Sequence, residues 1–376
     1  MKAPFFITKF SANSKHALQH LLRSKLRFAT LPLIFALLKI FSAFWLLERL
    51  NEGNFVSLFH GWDSYYYMSI ASNWYPSKVV EIWAFFPFYP LCSRIVNFAI
   101  HNLQLSMVFV SFFAGVMWLP VYQSIAERYM NVDKAFTSTY IFALFPQVFL
   151  FTSVAYSESL FIFTTLTAWL FYFRKKIFFA CVLACLATLT KPYGILIVLP
   201  IFLGMLRRNQ WNRIPFVLLP IATLFGWIWY NFIKTGDYFA FMIAQEHWAG
   251  MPWQPMNWFV GFLLPQLGIQ PEIQATTPIT PFSVYVLLAP FVMIVACLII
   301  MCFKYDWKLG IYGVTMLATI LSFGTPLSMP RFLPFIFPVW LNIKTRNFLI
   351  ALVICAVFYI HSLAIWLLFS NNVWIG

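Results

Sequence analysis

Long apolar runs separated by short polar clusters organise this chain from end to end. A helix needs about 20 apolar residues to cross the hydrocarbon of a bilayer, with a lower bound near 17. Such runs cover residues 28–47, 105–125, 135–152, 159–173, 214–232, 282–303, 310–323 and 348–369, the shorter ones requiring tilt or polar caps. The apolar stretch 177–206 is interrupted by Lys191-Pro192-Tyr193-Gly194, so it reads as a hairpin of two spans. A short Pro-rich segment, 330–341, completes a set of about eleven. Residues 82–100 are apolar enough to span, but Pro87, Pro90 and Arg94 interrupt them. Parity settles that segment as an interfacial helix. With it excluded, the basic loops all share the side of the N-terminus: Arg128 and Lys134, Arg174 to Lys176, Arg207 to Arg213, Lys304 and Lys308, Lys344 and Arg346. The positive-inside rule then places the N-terminus in the cytoplasm.

Composition agrees with this pattern. Hydrophobic residues make up 62% of the 376 and charged residues 10%, against about 25% charged in ordinary soluble domains. A soluble chain of this kind would lack polar surface. The net charge of +14 lies in the short loops between spans, which argues for membrane topology and against nucleic acid as a partner. The six cysteines sit mostly in apolar segments without zinc-type pairing and read as packing residues. The expected organisation is an all-α polytopic membrane protein: a basic cytoplasmic segment, 1–27, followed by one membrane domain, 28–376.

The acids take the opposite side from the bases. Glu48, Glu52, Asp63, Glu81, Glu158, Asp237, Glu246 and Glu272 fall in outer segments, and only Glu127, Asp133 and Asp306 fall inside. Two long outer loops, 48–104 and 234–281, hold most of them, and long loops are usually functional. In the first, Asp63 follows Trp62 and precedes Tyr65, Tyr66 and Tyr67. A carboxylate partly buried among aromatics is a general-base candidate; equally, Asp63 could cap the helix that begins at Ser64. Glu158 either supports the first acid or sits in a first helical turn with Ser157 as its cap. Lys191 and Arg331 are isolated cations at outer boundaries, suited to a phosphate or to snorkelling toward headgroups. In the second loop, Glu246 and His247 can contact substrate hydroxyls or belong to a solvated interfacial helix. Lys39, in the first span, is a functional candidate by position, or it pairs with a polar group or snorkels. His16, His20, His101 and His361 show no partner spacing. A phosphate-cradling glycine loop, an Asp-x-Asp pair, His-Glu-x-x-His and Gly-x-Ser-x-Gly are all missing, which speaks against nucleotide-dependent and zinc-hydrolase chemistry.

The outer motifs together resemble the PIG-V family, which includes the GPI mannosyltransferase that adds the second mannose, and bacterial relatives. The resemblance is carried by Trp62-Asp63, Tyr67, Ile70-Ala71, Tyr75 and Phe85-Phe86-Pro87-Phe88-Tyr89-Pro90. Leu144-Phe145-Pro146 with Tyr156-Ser157-Glu158-Ser159 follows, then Leu189-Thr190-Lys191-Pro192-Tyr193-Gly194, then Met329-Pro330-Arg331-Phe332 with Phe337-Pro338. Thr235-Gly236-Asp237, Ala244-Gln245 and Trp248 resemble bacterial members. Two departures stand out: Lys191 replaces the usual Arg, and Asn73-Trp74-Tyr75 replaces His-Gly-Tyr.

The resemblance implies a GT-C type glycosyltransferase with a GT-C-like helix bundle. It would take a sugar, with mannose favoured, from a polyprenyl- or dolichyl-phosphate donor to a lipid-linked or glycan acceptor on the non-cytoplasmic face, with inversion. Asp63 would be the base and Glu158 its support. Lys191 and Arg331 would hold the donor phosphate, and Trp62, Tyr67, Gln245 and His247 would contact substrate. The scheme requires no metal and no cofactor beyond the lipid donor. A flippase for a lipid-linked glycan is the alternative from another class, although charges at mid-membrane and inverted repeats would suit it better. A glycan polymerase or ligase using a pyrophosphate-linked donor is the other. The outer loops hold no Asn-x-Ser/Thr sequence, which favours a bacterial inner membrane over the endoplasmic reticulum.

Overall fold

Backbone polar groups cannot be left unmet in hydrocarbon, and the chain meets them with helices: no strand occurs among the described residues. The computed structural model describes residues 30–50, 55–76, 80–249, 281–322, 329–345 and 347–373, without the side chains of 55, 246–249, 281–290 and 329. The basic segment 1–27 and the outer loop beyond Ala249 therefore lie outside the described residues. In chain order the helices are α1 (Thr30–Arg49), α2 (Phe55–Phe59), α3 (Asp63–Asn73), α4 (Phe88–Ile100), α5 (Leu103–Ala126), α6 (Val132–Leu144), α7 (Pro146–Phe151) and α8 (Glu158–Phe173). There follow α9 (Ile177–Thr190), α10 (Val198–Leu206), α11 (Ile214–Thr235), α12 (Ala240–Ala249), α13 (Pro281–Ile300), α14 (Trp307–Ile320), α15 (Met329–Phe332) and α16 (Phe348–Ser370). Among the described residues, four helical stretches are long and apolar enough to cross a membrane: Thr30–Arg49, Leu103–Ala126, Trp211–Thr235 and Phe348–Ser370. Shorter apolar helices pack among them, including Glu158–Phe173 and Ile177–Thr190. The chain is an integral membrane protein.

Three sequence expectations meet the structure differently. Residues 135–152, expected as one span, break at Phe145-Pro146, where Phe145 (φ −54, ψ 129) ends α6 and starts α7. Proline has no N–H to donate and drives the residue before it out of the helical region. Residues 82–100 form a 3-10 turn, Glu81–Ala84, and then the 13-residue α4. At ~1.5 Å per residue, α4 is roughly 20 Å long, short of the ~30 Å hydrocarbon thickness.

The third case is 330–341. It is not an α-helical span but α15 followed by 3-10 turns at Leu333–Phe335 and Phe337–Asn342. Pro334 and Pro338 remove the donors that an α-helix would need, and the ~2.0 Å rise of a 3-10 helix carries few residues a long way. Irregular backbone inside a bundle needs partners. Tyr312 donates its hydroxyl to the Phe335 carbonyl at 3.1 Å, and Ser138 donates to the Trp340 carbonyl at 3.0 Å. Trp340 also stacks on Phe142, ring centroids 4.8 Å apart.

The basic loops gather at one end. Arg213 reaches the Lys175 carbonyl at 3.4 Å, and Tyr129 donates to Asp306 Oδ2 at 3.1 Å. Arg128 lies over Phe173, Arg207 over Trp307 and Lys344 over Tyr305. The Arg213–Lys175 contact also shows that α9 leaves this end and α10 returns to it, so 177–206 is a hairpin with Lys191 at its far tip. Lys39, fully buried in α1, donates to the Thr152 carbonyl (2.6 Å) and hydroxyl (2.7 Å) just past α7. That is the polar-pairing reading: a lysine capping a helix C-terminus.

Candidate active site

The end opposite the basic loops collects four charged side chains from four separate elements. Asp63 opens α3. The turn before it is sharp, with Trp62 at φ 51 and ψ −115, a region that bulky residues seldom occupy. Gly61 N–H donates to Ser64 Oγ at 2.8 Å, so Ser64, rather than Asp63, serves the helix start. Asp63 is therefore free of capping duty, and its carboxylate meets Arg331 instead, with Nη2 2.6 Å from Oδ2.

Glu158 opens α8 and is almost fully buried. Its Oε1 accepts from Arg331 Nε at 2.6 Å and lies 3.2 Å from Lys191 Nζ. Ser157 does not cap α8 through its side chain; its hydroxyl pairs with the buried Tyr67 hydroxyl at 2.6 Å. Glu158 and Asp63 thus meet through Arg331 rather than directly. Carboxylates at both helix starts face the positive ends of the helix dipoles.

Lys191 is placed by its own sequence. Pro192 cannot continue α9, and the residue before a proline is pushed to extended backbone, as Lys191 is (φ −151, ψ 144). Gly194 N–H then returns to the Lys191 carbonyl at 3.0 Å. A Cβ at Gly194 would run into the backbone of Ala187 and Thr188, so only glycine lets this turn fold onto α9. Burial pushes the Lys191 ammonium down from its ordinary range, and Glu158 pulls it back up. Arg331, at 5% exposure, lies over the rings of Tyr156 and Phe151, 4.8 and 5.0 Å to the centroids. Neither cation snorkels to the surface.

Tyr156, Ser111 and His60 have roles that the sequence did not assign. The Tyr156 hydroxyl donates to the Gly61 carbonyl (3.1 Å) and accepts from Asp63 N–H (3.2 Å), which ties the two acidic turns together. Burial, then Asp63, hold this phenol well above its ordinary range, so it remains a protonated donor. Ser111 of α5 clamps the Tyr156 backbone on both sides, donating to its carbonyl at 2.8 Å and accepting from its N–H at 3.1 Å. His60, two residues before Trp62 and buried, approaches the Gln104 carbonyl at 3.2 Å through Nε2. Tyr156 was visible in the Tyr-Ser-Glu motif; Ser111 lay inside an apolar run with nothing to mark it.

The other expected residues are spread more widely. Trp62 borders a cavity of about 350 Å³ with Asp63, Tyr65, Tyr66 and Asn372. Tyr67 is buried beneath the site, a supporting rather than an open position. Gln245 of α12 is bonded to the Ala84 carbonyl at 3.4 Å, beside the aromatic group of Tyr75, Trp83 and Trp227, and not to the charged group. His247 lies in α12, but its side chain is outside the described residues, as is that of Glu246.

No family model matches the chain, and no curated protein matches it. Solved structures with the same fold include ArnT from Cupriavidus metallidurans bound to undecaprenyl phosphate. That likeness has a TM-score of 0.51 at 12% identity, covering 87% of this chain and 59% of that one. The apo oligosaccharyltransferase of Archaeoglobus fulgidus is similar with a TM-score of 0.55 at 14% identity, covering 93% and 56%. What these likenesses share with the chain is the fold, a GT-C-like helix bundle. The chain spans less than two thirds of the length of either protein.

Proposed function

We propose that this protein is a membrane glycosyltransferase that moves a sugar from a polyprenyl- or dolichyl-phosphate to a lipid-linked or glycan acceptor, with inversion. The observation that carries this reading is the meeting of Asp63, Glu158, Lys191 and Arg331 at one end of a GT-C bundle. The PIG-V-like motifs favour mannose as the sugar and the non-cytoplasmic side as the site. The ArnT likeness, with its bound undecaprenyl phosphate, favours a polyprenyl-phosphate carrier.

Asp63 accepts the proton of the acceptor hydroxyl while that oxygen attacks the anomeric carbon. The bond from that carbon to the phosphate oxygen breaks, and the polyprenyl phosphate leaves with one more negative charge. Arg331 couples the two events. As the proton neutralises Asp63, the guanidinium loses its partner at 2.6 Å just when charge appears on the phosphate. Lys191 adds a second cation and Glu158 holds both in place, preorganised where charge develops. The four groups need no metal to do this.

The test is Asp63→Asn in membranes supplied with labelled polyprenyl-phosphate mannose. Transfer should fall by about 10²-fold or more. Transfer at the wild-type rate would remove Asp63 as the base, and lipid scrambling without transfer by either form would point to a flippase.

A further inference from the structure

The cavity beside Asp63 is closed on one side by a residue from the far end of the sequence. Helix α16 ends in a Schellman turn: Asn372 N–H bonds to the Phe369 carbonyl and Val373 N–H to the Leu368 carbonyl, both at 3.0 Å. Asn372 takes the left-handed conformation (φ 59) that the turn requires and that asparagine tolerates. The turn is docked on the acidic loop, because Phe369 packs against Tyr156, centroids 5.8 Å apart, and a Cβ at Gly61 would meet its ring. Asn372 is thereby set over the Trp62–Asp63 turn, sharing the cavity with Tyr65 and Tyr66.

Resting on Asp63 as the base, we infer that this cavity is the acceptor subsite, that it takes an uncharged glycosyl ring, and that Asn372 is one of its polar contacts. The two cations of the charged group are buried, and no cation lines this cavity among the described residues. An anionic ligand would therefore go to Lys191 and Arg331. What remains here is aromatic faces, one carboxylate and one amide, a set that suits a ring bearing both C–H faces and hydroxyls. Glycine is the usual residue at this turn position; asparagine forms the same turn and adds a donor and an acceptor.

That distinction supplies the test. Asn372→Gly keeps the turn and deletes the amide. Full-length wild type, N372G and D63N are placed in nanodiscs, and methyl α-D-mannopyranoside binding is read by saturation-transfer NMR, with mannose 6-phosphate as the charged counterpart. The expected result is binding of the neutral glycoside by wild type, weakened in D63N, which loses the carboxylate of the set. In N372G it should weaken roughly five- to ten-fold, the scale of a lost hydrogen bond, with an unchanged melting temperature. Equal binding by N372G, tighter binding of the phosphorylated sugar, or no binding by wild type overturns the proposal. The transfer assay on D63N is independent: wild-type transfer there defeats the base assignment while leaving the binding result to stand. In that assay N372G should raise KM for the glycoside and not for the lipid donor.

Discussion

Arg331 is the residue on which the site turns. Its guanidinium bridges two carboxylates with separate nitrogens, Nη2 to Asp63 and Nε to Glu158. A lysine keeps the charge but not the fork. Arg331→Lys should therefore retain expression yet lose about 10²-fold in transfer rate. Arg331→Met should instead lower stability by about 3–5 kcal/mol, because it leaves Asp63 without its cation and buried Glu158 with Lys191 alone; thermal unfolding in detergent separates the two effects. His60 gives a pH dependence. Burial depresses its imidazole from 6.5 to about 4, so the unfolded chain binds the proton more readily. Stability is then full above pH ~6.5 and is lost as the pH falls toward ~4, by about 3 kcal/mol. A His60→Asn chain should melt with a shallower dependence across that window. All four charged residues could be read from the sequence one at a time, through motif resemblance. Their meeting could not, because they lie 33 to 268 positions apart along the chain. Of the two residues that hold the turns together, Tyr156 belongs to a legible motif, whereas Ser111 is a polar atom in an apolar run and shows its role only by its partners.

At the scale of elements, hydropathy located apolar segments well and their internal form poorly. Apolar character reports burial or lipid contact but says nothing of backbone hydrogen bonding. The break at Phe145-Pro146 and the 3-10 passage through residues 333–342 both follow from prolines, whose missing donors act locally. The hairpin tip at Lys191-Pro192 was legible for the same reason, since there the proline fell beside a charge. The 3-10 passage should depend on side chains that answer its carbonyls. Tyr312→Phe deletes one such bond and should destabilise by about 1 kcal/mol, and Ser138→Ala, which also takes the partner of the buried Tyr122 hydroxyl, by about 2 kcal/mol. The double variant, measured by thermal unfolding, should lose close to the sum because the two bonds are separate.

At the scale of the whole molecule, charge partition was the most legible feature. The loops expected to share one side do assemble, through Arg213 with Lys175 and Tyr129 with Asp306, and the candidate site forms at the other end. A cysteine at exposed Tyr65 and one at exposed Arg174 should react from opposite sides of sealed vesicles with an impermeant maleimide, the native cysteines providing the background. Reaction of both from one side would refute the arrangement. A last consequence belongs to the charged group. Two carboxylates and two cations cancel, so the resting site projects little field beyond itself. Capture of a lipid donor should then proceed by diffusion within the bilayer with little electrostatic steering. The second-order rate constant for the donor should accordingly stay nearly flat as ionic strength rises from well below to well above that of the cytoplasm, and a steep decline would show that a longer-range attraction draws the phosphate in.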